Sequence, residues 1–153
     1  MLRGHIVKRL MTAALLALLA FGAGTAAFAQ DNAEWKKLDD EAKSLYQQGK
    51  YDRGVEVAKK ALELAEKAKG PDDPDVAASL NDLAELYRAQ AQYAQAELLC
   101  QRALAVWEKA LGPNHPSVAT ALENLAKLYR KTDRAQEAEA LEKRAAEIRA
   151  IKR

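Results

Sequence analysis

One stretch of this sequence is written twice, 42 residues apart. Gly70-Pro71-Asp72-Asp73-Pro74-Asp75-Val76-Ala77 returns as Gly112-Pro113-Asn114-His115-Pro116-Ser117-Val118-Ala119. Leu80, Leu83, Ala84, Leu86, Tyr87 and Arg88 return as Leu122, Leu125, Ala126, Leu128, Tyr129 and Arg130. Farther along the unit, Ala61-Leu62 becomes Ala103-Leu104, and Ala145 holds that place a third time. Tyr51 matches Tyr93, with Ala135 at the third occurrence. A period of this size marks stacked repeats, in which each unit buries its apolar face only against its neighbours.

Each unit reads as two helices. Leu80, Leu83, Ala84 and Tyr87 fall at i, i+3, i+4 and i+7, a one-faced stripe, and Ala96, Leu99, Cys100 and Ala103 repeat that spacing. Gly70 and Gly112 stand where a glycine ends a helix, and Pro74 and Pro116 suit a first helical turn. Asp31 with Glu34 has the form of a capping box. Helices are expected over 32–48, 51–69, 74–90, 93–110, 116–131 and 134–151, giving units 32–69, 74–110 and 116–151. Small residues at 84, 96, 126 and 138 let paired backbones approach, while Tyr87 and Tyr129 fill wider gaps.

The first 29 residues read differently. Arg3, Lys8 and Arg9 precede an apolar run from Leu10 to Phe21, and Ala27-Phe28-Ala29 offers small residues around a cleavage point. That is the three-part form of a secretory signal, cut after Ala29 to leave a repeat domain over 30–153. The run is short for spanning a bilayer, so no stable membrane insertion is expected after cleavage. A location outside the cytoplasm, in the periplasm, follows as the expectation. Three of the 24 basic residues and none of the 22 acidic ones lie in this segment, leaving 21 against 22, a net charge of −1. Nothing in that balance suggests a nucleic-acid surface.

The motif Leu80-x-x-Leu83-Ala84-x-x-Tyr87, then Tyr93-x-x-Ala96, then Ala103-Leu104, resembles a tetratricopeptide repeat (TPR). With its 42-residue period and Leu-Gly-Pro-x-His-Pro at 111–116, it is similar to the kinesin-light-chain subtype, in a bacterial exported form. The resemblance implies an all-α solenoid of three antiparallel helix pairs in a right-handed superhelix. Unit one departs from the pattern. Leu45-Tyr46 lies 41 residues before Leu86-Tyr87, which predicts a shorter inter-helix turn and sets Lys43 where Ala84 and Ala126 stand. Gly54 replaces Ala96 and Ala138.

Members of this family bind peptides or protein surfaces in a groove lined by the first helix of each unit. Carried over, that role falls on Asn81, Asp82, Glu85 and Arg88 in unit two. In unit three it falls on Glu123, Asn124, Lys127, Arg130 and Lys131. Asn suits a peptide backbone because it both donates and accepts, and Arg grips carboxylates with two hydrogen bonds. Arg88 and Arg130 would form a spaced pair of cationic forks.

No nucleophile, base or metal set is recognisable, so neither enzyme activity nor a cofactor is expected. His115, in the inter-repeat turn, reads as a capping residue. Cys100 sits on an apolar stripe and reads as buried, with pairing between chains as the other outcome. Trp35 and Trp107 read as packing residues, and Glu66 and Glu108 as surface charge. The expected role is a non-catalytic adaptor of the bacterial envelope holding a protein or peptide. A second reading is self-association through the solenoid ends.

Overall fold

The computed structural model describes residues 26–151. Helix α1 runs over 26–47, followed by α2 (Tyr51–Lys69), α3 (Pro74–Ala89), α4 (Tyr93–Leu111), α5 (Pro116–Lys131) and α6 (Ala135–Ala150). No strand occurs among the described residues. The basic opening and the apolar run of the N-terminal segment lie outside them.

Local chemistry sets the helix ends. Asp73 Oδ1 accepts the Asp75 N–H at 2.8 Å, and His115 Nδ1 accepts the Ser117 N–H at 3.1 Å, each capping a helix whose first residue is proline. Gly70 and Gly112 close α2 and α4 at φ 88° and 89°, a region open to residues without a Cβ. The expected capping box at Asp31 is not formed. Alanine at 26, 27, 29 and 33 favours helix strongly, and α1 already runs at residue 26, placing Asp31 inside it.

Unit one also keeps the full period, correcting the expected short turn. The N–H groups of Lys50, Gln92 and Arg134 donate to the carbonyls of Leu45, Tyr87 and Tyr129 at 2.9, 2.8 and 2.8 Å. Residues Gly49, Ala91 and Asp133 take φ of 72°, 58° and 59°. All of these positions are 42 apart. Ala42, not Lys43, therefore occupies the place of Ala84 and Ala126, and all three are buried. Only the first of these turns has a glycine at its left-handed position, which costs an L residue about 1–2 kcal/mol. Ala91→Gly is expected to stabilise the protein by about 1 kcal/mol, less the entropy glycine adds to the unfolded chain. Urea unfolding checks this.

The helices pack in sequence: α3 against α2 and α4, and α5 against α4 and α6. One cluster joins Ala65, Val76, Leu80, Trp107, Leu122 and Ile148 across all three units. Others join Leu83 and Leu86 to Ala42, Leu45 and Ala58, and Leu125 and Leu128 to Ala84, Ala96 and Cys100. At Gly54 an added Cβ would come within 2.6 Å of Leu86 Cδ2, so the missing methyl leaves Leu86 its room. Glu66 and Glu108 are salt-bridged to Arg102 and Arg144 of the following unit, both at 2.5 Å. The repeat thus extends to its ion pairs, although exposed pairs contribute only about 0–1 kcal/mol each.

Both ends of the described stack are polar. Val76, Leu83 and Leu86 bury against unit one, and Val118, Leu125 and Leu128 bury against unit two. The corresponding residues of α1 are Glu34, Glu41 and Ser44. At the other end, buried Ala58 and Cys100 give way to Glu142, and buried Ala65 and Trp107 to Arg149. Arg149 holds Glu123 through two hydrogen bonds of 3.1 Å, and Arg130 holds Glu142 at 2.7 and 2.5 Å.

Candidate functional site

Helices α1, α3 and α5 lie side by side, and a cleft of about 290 Å³ opens between α1 and α3. Ala42, Tyr46 and Leu86 give it an apolar lining, and Lys43, Gln47, Asn81, Asp82 and Glu85 supply its polar groups. Between α3 and α5 a chain of hydrogen bonds crosses the seam instead. Buried Asn124 donates its Nδ2–H to Asn81 Oδ1 at 2.9 Å, and Lys127 Nζ donates to Asn124 Oδ1 at 2.9 Å. The α1–α3 seam differs at both partners of this pair: Asp39 stands 42 residues before Asn81 and Asp82 stands 42 before Asn124, while Lys43 and Glu85 take the places of Glu85 and Lys127.

Five expected residues are gathered here: Asn81, Asp82, Glu85, Asn124 and Lys127. Arg88 is adjacent, with Nη2 donating to Glu85 Oε2 at 3.1 Å and to Tyr46 Oη at 3.3 Å, while its buried Nε lacks a hydrogen-bond acceptor. Glu123 and Arg130 are engaged with α6, and Lys131 is exposed at the end of α5. The two arginines of the expected pair of cationic forks are engaged differently. One arginine braces α1 against α3, and the other grips Glu142, because no further unit covers that face among the described residues.

The sequence reading missed the α1 side of the cleft. Lys43 lies 2.5 Å from Asp39 Oδ2 and 3.3 Å from Asp82 Oδ2. Asp39 is buried, and Asp82 is three-quarters so. The Lys43–Asp82 approach lacks hydrogen-bond alignment, and Asp82 Oδ2 is left without a hydrogen-bond donor. Burial, reinforced by the Asp39 carboxylate against the opposing pull of Lys43, raises the Asp82 carboxyl above its ordinary range. The folded state then holds a proton that the unfolded chain has released. Ionising Asp82 as pH rises from the ordinary carboxylate range toward neutrality therefore lowers stability, by about 1.4 kcal/mol per unit of separation. Asp82→Asn is expected to flatten that decline in urea midpoints measured across the same range, and to raise stability at neutral pH.

Cys100 packs beside Ala84, Ala96 and Tyr129. Burial pushes its thiol up to about 12. Reaction with a thiol reagent at neutral pH should be slow until the protein unfolds, and a non-reducing gel should show no disulfide dimer. Trp35 donates its indole N–H to Ser79 Oγ at 2.9 Å, with Lys69 over its ring. Among the described residues, no group of three or more His, Cys, Asp or Glu is placed to hold a metal ion. None of the described helices is long and apolar enough to cross a membrane.

A family model described as tetratricopeptide repeat matches residues 38–99 and 83–150. Among curated protein sequences, none matches significantly. Similar solved structures include BtubC (BKLC) from P. vanneervenii, 28% identical with TM-score 0.70, covering 76% of this chain and 46% of that one. A Podosopora anserina protein described as a kinesin light chain with nearly identical TPR-like repeats is 27% identical with TM-score 0.69, covering 75% and 55%. The chain thus spans about half the length of these two. The TPR domain of Arabidopsis FLU shares the fold at 17% identity and TM-score 0.69, covering 79% of this chain and 99% of that domain.

Proposed function

Because this chain belongs to the tetratricopeptide repeat family, whose repeats are generally protein–protein interaction modules, we propose that it holds a peptide or partner protein along the face of α1, α3 and α5. The observation that carries this reading is the cleft between α1 and α3. It combines apolar Ala42, Tyr46 and Leu86 with polar Asn81, Asp82 and Glu85 on rigid helices, as a recognition site requires. The family and fold are typically non-catalytic scaffolds, and the role proposed here is that of an adaptor.

The N-terminal residues extend the proposal to a site of action in the bacterial envelope. Its support is the sequence pattern of residues 1–29, and sequencing the N-terminus of the exported protein tests it: a chain beginning elsewhere than Gln30 overturns the assigned cleavage. Self-association through the ends is the weaker reading, since Glu34, Glu41, Glu123, Glu142 and Arg149 give both end faces a charged surface.

Photocrosslinking in the native host tests the binding face. A photoreactive side chain at Gln47 or Lys131 should capture a discrete partner, and the same group at exposed Lys60 on α2 should not. Capture from Lys60 alone would sink the assignment.

A further inference from the structure

We propose that the cleft between α1 and α3 receives a lysine or arginine side chain from a basic segment of the partner, with Asp82 as the carboxylate that meets it. This rests on the binding-face reading above and names the chemistry of what binds there.

Charge accounting points to a cation. Asp39, Asp82 and Glu85 are the carboxylates at the cleft, and Lys43 and Arg88 the cations. Lys43 is matched by Asp39 at 2.5 Å, and Arg88 by Glu85 at 3.1 Å. Lys43 also stands 3.3 Å from Asp82 Oδ2, so three carboxylates share two cations, and Oδ2 is a buried acceptor without a hydrogen-bond donor. The Asp82 side chain keeps 24% of its surface exposed and lines the cleft, so a ligand donor would meet its carboxylate there. A cationic donor meets both needs, charge and hydrogen bond, and its alkyl stem suits Ala42, Tyr46 and Leu86. An acidic segment would bring a fourth carboxylate to a site already short of donors.

The α3–α5 seam supports the same choice by contrast. There the equivalent position is Asn124, a neutral side chain whose amide donates to Asn81 and accepts from Lys127, so no carboxylate is left for a ligand cation.

Binding a cation would also hold Asp82 ionised. The charged groups facing Asp82 are Asp39 and Lys43 from α1 and Glu85 and Arg88 from its own helix; on the α5 side stands neutral Asn124 carrying Lys127. Of these, Asp82 is the carboxyl raised by burial, so binding of a cation should release its proton and tighten as pH rises.

The test uses short fluorescent peptides, one alternating Lys with Ala and one alternating Glu with Ala, titrated with the full chain by anisotropy at low salt. The basic peptide should bind at least about tenfold more tightly than the acidic one. Its affinity should rise between about pH 5 and about pH 8. Asp82→Asn should remove that rise and weaken binding by roughly threefold to tenfold. This variant copies the residue at the equivalent place in unit three, so it should fold, and circular dichroism checks that it does. Glu56→Gln on α2 removes the same charge away from the cleft and should change nothing. The proposal is overturned if the basic peptide fails to bind, if both peptides bind alike, or if the two variants behave alike. Crosslinking from Gln47 or Lys131 would still succeed in those cases if the binding face itself is correctly assigned.

Discussion

Replacing Trp107 by Ala is expected to destabilise the protein by about 3–5 kcal/mol. The ring is buried where all three units meet, among Ala65, Val76, Leu80 and Leu122. Its indole N–H also donates to the Pro74 carbonyl at 3.1 Å, tying the end of α4 to the start of α3. Loss of the ring opens a cavity and removes this link between the two helices. Domains of ordinary stability hold only about 5–15 kcal/mol in total, so the variant should be close to unfolding at ambient temperature. Trp107→Phe separates the two contributions: it keeps most of the apolar surface and should cost nearer 1 kcal/mol for the hydrogen bond, with some further loss for the smaller ring. Urea denaturation followed by circular dichroism reads both. A cost below about 1 kcal/mol for the alanine variant would show that the ring does not join the units.

The second large effect is graded across three equivalent positions. Leu122→Ala and Leu80→Ala should each cost about 2–5 kcal/mol, since both side chains are wholly buried in the same cluster. Leu38 stands 42 residues before Leu80 and is only partly buried, so Leu38→Ala should cost less, about 1–2 kcal/mol. The ordering also checks the register of unit one. A 41-residue register would put Asp39 at that place and give Leu38 no kinship with the other two. Equal losses at all three positions, or the largest loss at Leu38, would contradict the observed packing.

Much of the fold is legible in the sequence because its determinants are local. Proline after Asp73 or His115 opens a helix, a glycine at 70 or 112 ends one, and apolar spacing fixes the buried stripe. The candidate site depends on how neighbouring helices are rotated, and that information is not local. Leu45-Tyr46 imitates Leu86-Tyr87, yet Tyr46 occupies the place of Arg88 and is hydrogen-bonded to it across the seam. Misplacing the register by one residue turns a helix by about 100°. That slip hid Asp39 and Lys43, the two α1 residues that decide the charge of the cleft. Arg88 and Arg130 share a sequence position but not an environment, because Glu142 is available only to the second. The Asn81–Asn124 pair spans 43 residues rather than 42, so a search for equivalent positions does not suggest it.

The two polar end faces have a consequence for how such a chain can change length. Unit two is apolar toward both neighbours, whereas units one and three are each apolar toward one side only. Copies of unit two could be spliced in tandem between the others, every new junction repeating one already present. Copies added outside unit one or unit three would set Glu34 and Glu41, or Glu142 and Arg149, against an apolar surface. The array can grow from its middle and not from its tips.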